Sequence, residues 1–305
     1  DLYLSVSCDN SFDGYLPDCG VYRISGIAKE CKWPVLFDHA FKPIHGEFSN
    51  VWSTGYEINE GIRTRELKIN KVFGYFYDKG NDHEPSPFKE YVNEFFHSKE
   101  TAKDKIYREF YKLCLNSLYG KFIQTRAYSL TDSIGYDDKT ETVIDERAIL
   151  AGGLFNPFIA SLITGQTRAF IHRLEHKYRA IHTSTDGIHT TMLPKEYAGL
   201  GGLSIEAEAD ILIVFRNKLY IMYKRMTRAE IKSGVKQPSK VFKNHKIIKY
   251  ALHGFHGTVE VLEQLYATKT KEYEYTKVNK LKESVKRNLQ VNDFVPQLSK
   301  LNIDY

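Results

Sequence analysis

The stretch from Lys103 to Phe122, KDKIYREFYKLCLNSLYGKF, narrows most sharply what this chain can fold into. Read as a helix at about 100° per residue, it places Lys105, Arg108, Lys112, Asn116 and Tyr119 within an arc of roughly 80°. Ile106, Phe110, Leu113, Cys114 and Leu118 take the opposite side. The expected helix therefore has an apolar back and a cationic front about 20 Å long. Such a front suits a triphosphate, because Arg and Lys offer fixed positive charge to phosphoryl oxygens and phosphoryl transfer depends mainly on charge stabilisation and positioning. The same wheel also describes an ordinary surface helix with basic residues, and periodicity alone leaves both readings standing.

The rest of the chain limits the setting. At 305 residues and 42% hydrophobic it can bury a sizeable core, as one large or two to three small subdomains. No apolar run approaches the roughly 20 residues of a membrane span, and the opening DLYLSVSCDN lacks the basic start of a signal peptide. A soluble, intracellular protein with no membrane partner is expected. Cys8, Cys19, Cys31 and Cys114 lack the close pairing of a cysteine zinc site and are too few for a disulfide scaffold, so they read as free thiols. The net charge of +5 is unevenly placed: eleven Lys or Arg residues lie between Arg216 and Lys249 against one acid, Glu230. That segment suits a polyanion such as nucleic acid, or equally a solvated charged face.

Residues 1 to about 85 read as short strands and loops, with turn signals between runs such as VYRISGIA and VFGYFY. Two helices joined by a short turn are expected from Phe88 to Phe122, then an exposed polar hairpin over residues 124–147. Asn156-Pro157 opens another helix, with Pro near its start. AIHTSTDGIHTTML reads as a strand pair with a tight turn at Thr185-Asp186-Gly187. The basic segment reads as strands that become mixed structure near Val259, and VNKLKESVKRNL reads as a basic helix.

KLCLNSLYGKF, residues 112–122, resembles motif B, K-x3-N-S-x-Y-G-K-F, of the family B DNA polymerases, and is particularly similar to the protein-primed branch. The resemblance implies that Lys112 binds the phosphates of the incoming nucleotide, beside Lys105 and Arg108 of the same stripe. It implies that Asn116 and Tyr119 shape the nascent base-pair pocket, that Gly120 lets the backbone approach it, and that Lys121 contacts DNA. HTSTDGIHTT resembles the motif C hairpin Y-x-D-T-D-S: Thr185 and Asp186 match, while His182, Ser184 and Gly187 replace the Tyr, the first Asp and the Ser. Asp186 thereby becomes the expected catalytic residue and metal ligand; the alternative is a plain turn aspartate.

Other likenesses follow in the family's order. ITGQTR, residues 163–168, resembles the helix before motif C and implies a DNA contact by Arg168. KLYIMY resembles the region of the K-x-Y motif, so Lys218 and Tyr220 would steady the primer terminus. KYALHG resembles the strand leading into the thumb, with Lys249 on DNA. DLYLSV at the start resembles the end of motif A, D-x-x-S-L-Y-P-S-V. In the favoured register Tyr3 excludes a 2′-hydroxyl and the motif's carboxylate precedes Asp1 by three residues. In the other register Asp1 is itself the ligand, but Val6 then falls where the Tyr should be.

The resemblance implies an α+β, right-hand polymerase fold with an antiparallel palm sheet, two-helix fingers and a small thumb. The expected parts are the start of the palm with a primer- or terminal-protein-type insertion (residues 1–85), fingers (86–122), hairpin insertion (123–148), palm (149–225) and thumb (226–305). The implied activity is DNA-directed DNA synthesis with two Mg²⁺ or Mn²⁺ ions, a DNA template-primer, dNTPs, a terminal protein as primer, and an upstream polymerase and exonuclease portion. A second reading, motivated by Ser184, Gly187 and a motif A Asp that is not among these residues, is a catalytically silent polymerase fold that binds DNA or serves assembly. An RNA-templated enzyme on the same palm fits less well, because the motif B helix belongs to the DNA-templated family.

Overall fold

The computed structural model describes residues 3–8, 12, 14–38, 42–77, 88–129, 135–137, 142–144, 147–184, 186–193, 195, 199, 201–234, 238–253, 255, 257–277 and 297–303. The chain divides into two compact units, one of residues 1–126 and 149–193, the other of residues 127–148 and 194–305.

The first unit is built on a four-stranded antiparallel sheet. Its strands are β1 (Tyr3–Cys8), β2 (Gly20–Ala28), β3 (Gly46–Thr54) and β4 (Leu67–Tyr77), in the order β1-β4-β2-β3. Along β2 alternate residues are buried, the period that one packed sheet face demands. Tyr22, Ile24, Ile58 and Ile69 lie at the centre of the resulting core. These strands are longer than the short strands expected, and a helix, α1 (Gly55–Arg63), was not anticipated among them. A capping box starts α1: the Thr54 hydroxyl accepts from the Glu57 N–H, and the Glu57 carboxylate accepts from the Thr54 N–H.

Helices α2 (Lys89–Thr101) and α3 (Lys105–Lys121) are the expected pair joined by a short turn. Asp104 caps α3 by accepting from the Ile106 N–H at 2.7 Å. Helix α4 (Pro157–Tyr178) begins as the sequence indicates, with Asn156 as its cap and Pro157 in its first turn. It leads into the hairpin of β9 (His182–Ser184) and β10 (Gly187–His189), a separate two-stranded sheet.

In the polar stretch, β5 (Thr125–Ser129) pairs with β8 (Arg147–Ala151), and β6 (Gly135–Asp137) pairs with β7 (Thr142–Ile144), which makes the expected hairpin a nested one. The second unit otherwise centres on the antiparallel sheet β11 (Ile211–Arg216), β12 (Leu219–Arg225) and β13 (His245–Leu252). Its central strand is buried from Leu219 to Tyr223, and packs on α6 (Val259–Ala267) through Leu262 and Leu265. Full burial of a side chain such as Leu262 is worth about 1.5–3 kcal/mol. A short helix, α5 (Arg228–Ser233), lies between β12 and β13, and β14 (Glu272–Lys277) pairs with β15 (Gln297–Asn302). The expected basic helix VNKLKESVKRNL lies outside the described residues.

Candidate active site

Helix α3 carries its cationic residues where solvent can reach them. Lys105, Arg108, Lys112 and Asn116 are exposed, and Tyr119 and Gly120 are half-buried. The first turn of α3 holds no acid, so the positive end of the helix macrodipole adds to Lys105 and Arg108. Glu109 borders the stripe, its carboxylate 3.9 Å from the Lys112 ammonium, with both side chains more than half exposed. Such an exposed pair is weak and leaves the ammonium available to a stronger anion. A Cβ added at Gly120 would meet nothing within 4 Å, so nothing in the chain itself requires glycine there. The Lys121 ammonium donates to Gln124 Oε1 at 2.9 Å.

The apolar back of α3 is not buried as its period suggests. Ile106, Phe110 and Leu113 are 77%, 54% and 65% exposed, and no α3 residue is fully buried. Helix α2 instead meets α3 along a flank: the Tyr91 hydroxyl donates to the Cys114 carbonyl at 3.1 Å, and Phe95 packs near Tyr111.

Asp186 sits exposed in the two-residue turn between β9 and β10, where Gly187 pairs with Ser184. Both strands are tied to the last turns of α4: the Thr183 hydroxyl donates to Glu175, and the Thr190 hydroxyl donates to the Tyr178 carbonyl at 2.6 Å. Burial pushes the Glu175 carboxyl up, and burial together with His189 pushes His182 down. Magnesium is commonly held by one or two carboxylates together with substrate phosphates, and an exposed carboxylate on an anchored tight turn suits one such ligand. The other expected ligand, Asp1, lies outside the described residues, as does the side chain of Tyr3; the backbone of Tyr3 is paired with Tyr77.

Behind the hairpin, α1 and α4 meet across buried acids that the sequence did not single out. Glu57 accepts from Thr54 and Ser53, and from Arg168 Nε at 2.6 Å. Arg168, expected on DNA, is thus ion-paired within its own unit while remaining half exposed. Glu60 lies between Arg63 and Arg173; burial raises its pKa, but the two guanidinium groups outweigh that and hold it below the usual carboxylate range. Glu66 faces His172 and His176, and these imidazoles likewise outweigh burial and lower it. Burial first, and Glu66 beside it, push the Cys31 thiol up to about 11. Gly165 explains the glycine of ITGQTR: a Cβ there would meet Thr54 Oγ1 at 2.1 Å, so only glycine admits α4 against the cap of α1.

In the second unit, Lys218 occupies the turn between β11 and β12 in the left-handed region, at φ 58°. That conformation is costly for a residue with a Cβ. The His253 N–H donates to the Lys218 carbonyl at 3.1 Å. Tyr220 is only 5% exposed. Lys249 pairs with Glu206 at 2.5 Å, Lys224 with Glu208 at 3.6 Å, and Lys246 with Glu230. The basic segment is therefore partly neutralised by Glu206 and Glu208, which precede it in sequence, and by Glu230 within it.

Residues 41–156, which include α2 and α3, match the model of the DNA polymerase type B family, organellar and viral. Over that segment the chain is similar to the family B DNA polymerases. The DNA-directed DNA polymerase of Enterobacteria phage PRD1 is 30% identical over 190 residues, covering 55% of this chain and 34% of that enzyme. Phi29 DNA polymerase in a post-translocation complex with primer-template DNA aligns with a TM-score of 0.61 at 15% identity, over 99% of this chain and 54% of that one. Its ternary complex with primer-template DNA and incoming nucleotides gives 0.57 at 14%. At such identity the structures establish the fold alone, and it is the α+β right-hand polymerase fold expected. The chain spans about a third of the PRD1 enzyme and about half of the phi29 enzyme.

Proposed function

We propose that this chain is the polymerising portion of a protein-primed, DNA-directed DNA polymerase that transfers dNMP to a primer 3′-hydroxyl under template direction. The observation that carries this reading is α3: a helix whose cationic residues stand exposed from its N-terminal turn onward, within the segment that matches the family. Lys105, Arg108 and Lys112 bind the triphosphate by charge, and Asn116 and Tyr119 bound the nascent base pair above the open surface at Gly120. Tyr3 screens the sugar. Asp186, presented on a turn that α4 anchors, is the carboxylate that holds a magnesium-class ion together with substrate phosphates. Such an ion supplies positive charge for the attacking and leaving oxygens.

Lys121, Arg168, Lys218, Tyr220 and Lys249 serve the template-primer, through phosphates rather than base edges. For Arg168 and Lys249 this requires exchanging a carboxylate for a phosphate, which their exposure permits. The reading places the protein inside a cell, at a site of viral replication, with dNTPs, a terminal protein and an upstream exonuclease portion as partners, and with the parts in the order palm, fingers, hairpin, palm and thumb. Among the described residues no helix is long and apolar enough to cross a membrane.

Primer extension by the full-length protein, with Mg²⁺ and all four dNTPs, tests the proposal. Asp186→Asn is expected to lower incorporation by at least about 10³-fold while primer-template binding persists. Undiminished synthesis by that variant would remove Asp186 from the reaction and the proposal with it.

A further inference from the structure

Away from Asp186, three side chains converge in a manner that DNA synthesis does not require. Glu66, just before β4, meets His172 and His176 on α4, and one ligating atom of each lies within 4.8 Å of the others. The two histidines are four residues apart, so one helix face presents both rings, with centroids 4.5 Å apart. The Glu66 carboxylate spans them, Oε2 lying 3.0 Å from His172 Nε2 and Oε1 2.7 Å from His176 Nε2. Ligands about 2.0–2.1 Å from a tetrahedral ion lie about 3.3 Å apart, so small adjustments would admit one.

Ion pairing alone does not satisfy this cluster. Glu66 Oε1, His172 Nδ1 and His176 Nε2 are buried without a hydrogen-bond partner, although Oε1 and the His176 nitrogen are so close. Glu66 and His172 are more than nine-tenths buried. Buried polar atoms left in this state call for an explanation, and an unseen ion is one. Outer support is also in place. Glu60 lies 3.8 Å from His172 Nδ1, too far for a hydrogen bond but near enough to favour a metal-bound imidazole by charge, and is itself fixed by Arg63 and Arg173. Trp33 packs edge-on against His176 at 5.1 Å.

We propose that Glu66, His172 and His176 bind a divalent ion of the zinc class, which pins the start of β4 to α4. Two imidazoles and a carboxylate suit zinc rather than magnesium, which favours oxygen ligands. The one-third exposure of the His176 side chain provides the entry path, and a water completes the coordination. The sequence of this turn, His172-Arg173-Leu174-Glu175-His176, has the H-x-x-E-H spacing of some zinc hydrolases. Here, however, Glu175 accepts from Thr183 and anchors the β9–β10 hairpin, so the ion's role is structural. The ion would stiffen the same helical turn that holds the Asp186 hairpin.

The test uses the purified full-length protein, dialysed against Zn²⁺ and then metal-free buffer, with metal content read by mass spectrometry. About one zinc per chain is expected, and Mg²⁺ in excess should not displace it. His176→Gln should weaken binding at least about tenfold by chelator competition, while Asp186→Asn should retain the metal. Because a ligand variant can also misfold, the melting temperature of the wild-type protein provides a second measurement: it should rise on adding Zn²⁺ to EDTA-treated protein and not on adding Mg²⁺. Absence of retained zinc together with an unchanged melting temperature overturns the proposal, as does stoichiometric zinc that folded His176→Gln binds equally well.

Discussion

The pairs α2–α3 and α1–α4 are both helical contacts of the first unit, yet they are assembled on opposite terms. Helices α2 and α3 bury no residue completely and leave Lys112 and Ile106 alike in the open. Helices α1 and α4 enclose Glu57 and Glu60, each met by an opposite charge or a hydrogen bond. Charge serves both pairs. On α3 it stands open to solvent; between α1 and α4 it has its partners already, and removing one leaves a buried ion uncompensated. The first surface should therefore be soft to mutation in stability and hard in function, the second the reverse.

The largest effect is expected on α3. Lys112→Ala should lower kcat/KM for dNTP by about 10²-fold, mainly through KM if the ammonium binds ground-state phosphates. Its melting temperature should stay within about 2 °C of the parent, as for other exposed positions. A large fall in melting temperature would break the contrast, because it would make Lys112 part of the scaffold.

The reverse pattern should appear at Gly165. Gly165→Ala places a methyl group against Thr54 Oγ1 and must displace the cap of α1 or shift α4. Overpacking of this kind costs about 1–3 kcal/mol, or several degrees of melting temperature. Any loss of synthesis should follow the loss of folded protein and recover on cooling. Somewhat smaller is Glu60→Gln, which keeps the shape but removes the charge between Arg63 and Arg173. Both guanidinium groups are about half exposed and can turn to water, so the cost falls below that of a fully buried pair, at about 1–2 kcal/mol by urea denaturation.

How much of this could be read beforehand follows the same division. The α3 stripe was legible because helical period and motif string agree from Lys105 to Gly120. The fate of its apolar side was not, since period gives a face but not the partner, and α2 settled on the flank near Tyr111 and Cys114. Helix α1 was missed because Gly55 and Gly61 weaken helical propensity and only Ile58 and Ile62 offer an apolar stripe. Its signal lay in Thr54-x-x-Glu57, a capping box. The buried acids read as surface because Glu is rarely enclosed; only their cationic partners, distant in sequence, permit it. The Asp186 turn was legible from Thr185-Asp186-Gly187, whereas its anchors Glu175 and Tyr178 are long-range contacts that no local pattern encodes.

A partly exposed ion pair in the second unit, with both side chains about 30% exposed, sharpens the rule that burial, rather than charge, decides. The Lys246 ammonium and then the Thr227 N–H hold the Glu230 carboxyl down to about 2, well below the roughly 4.3 of an unfolded chain. A depressed carboxyl stabilises the fold above the unfolded value and loses that contribution as pH falls through the folded one, so the window here runs from about 4.3 down to about 2. The pair is solvent-accessible, however, and salt and water screen most of what the shift implies. Replacing Glu230 by Gln should therefore flatten the acid limb of a urea midpoint–pH curve only slightly, and 1 M salt should erase the difference between variant and parent. A pH slope as steep as that removed by Glu60→Gln would show that exposed and enclosed acids contribute alike, and the contrast between the two helix pairs would lose its physical basis.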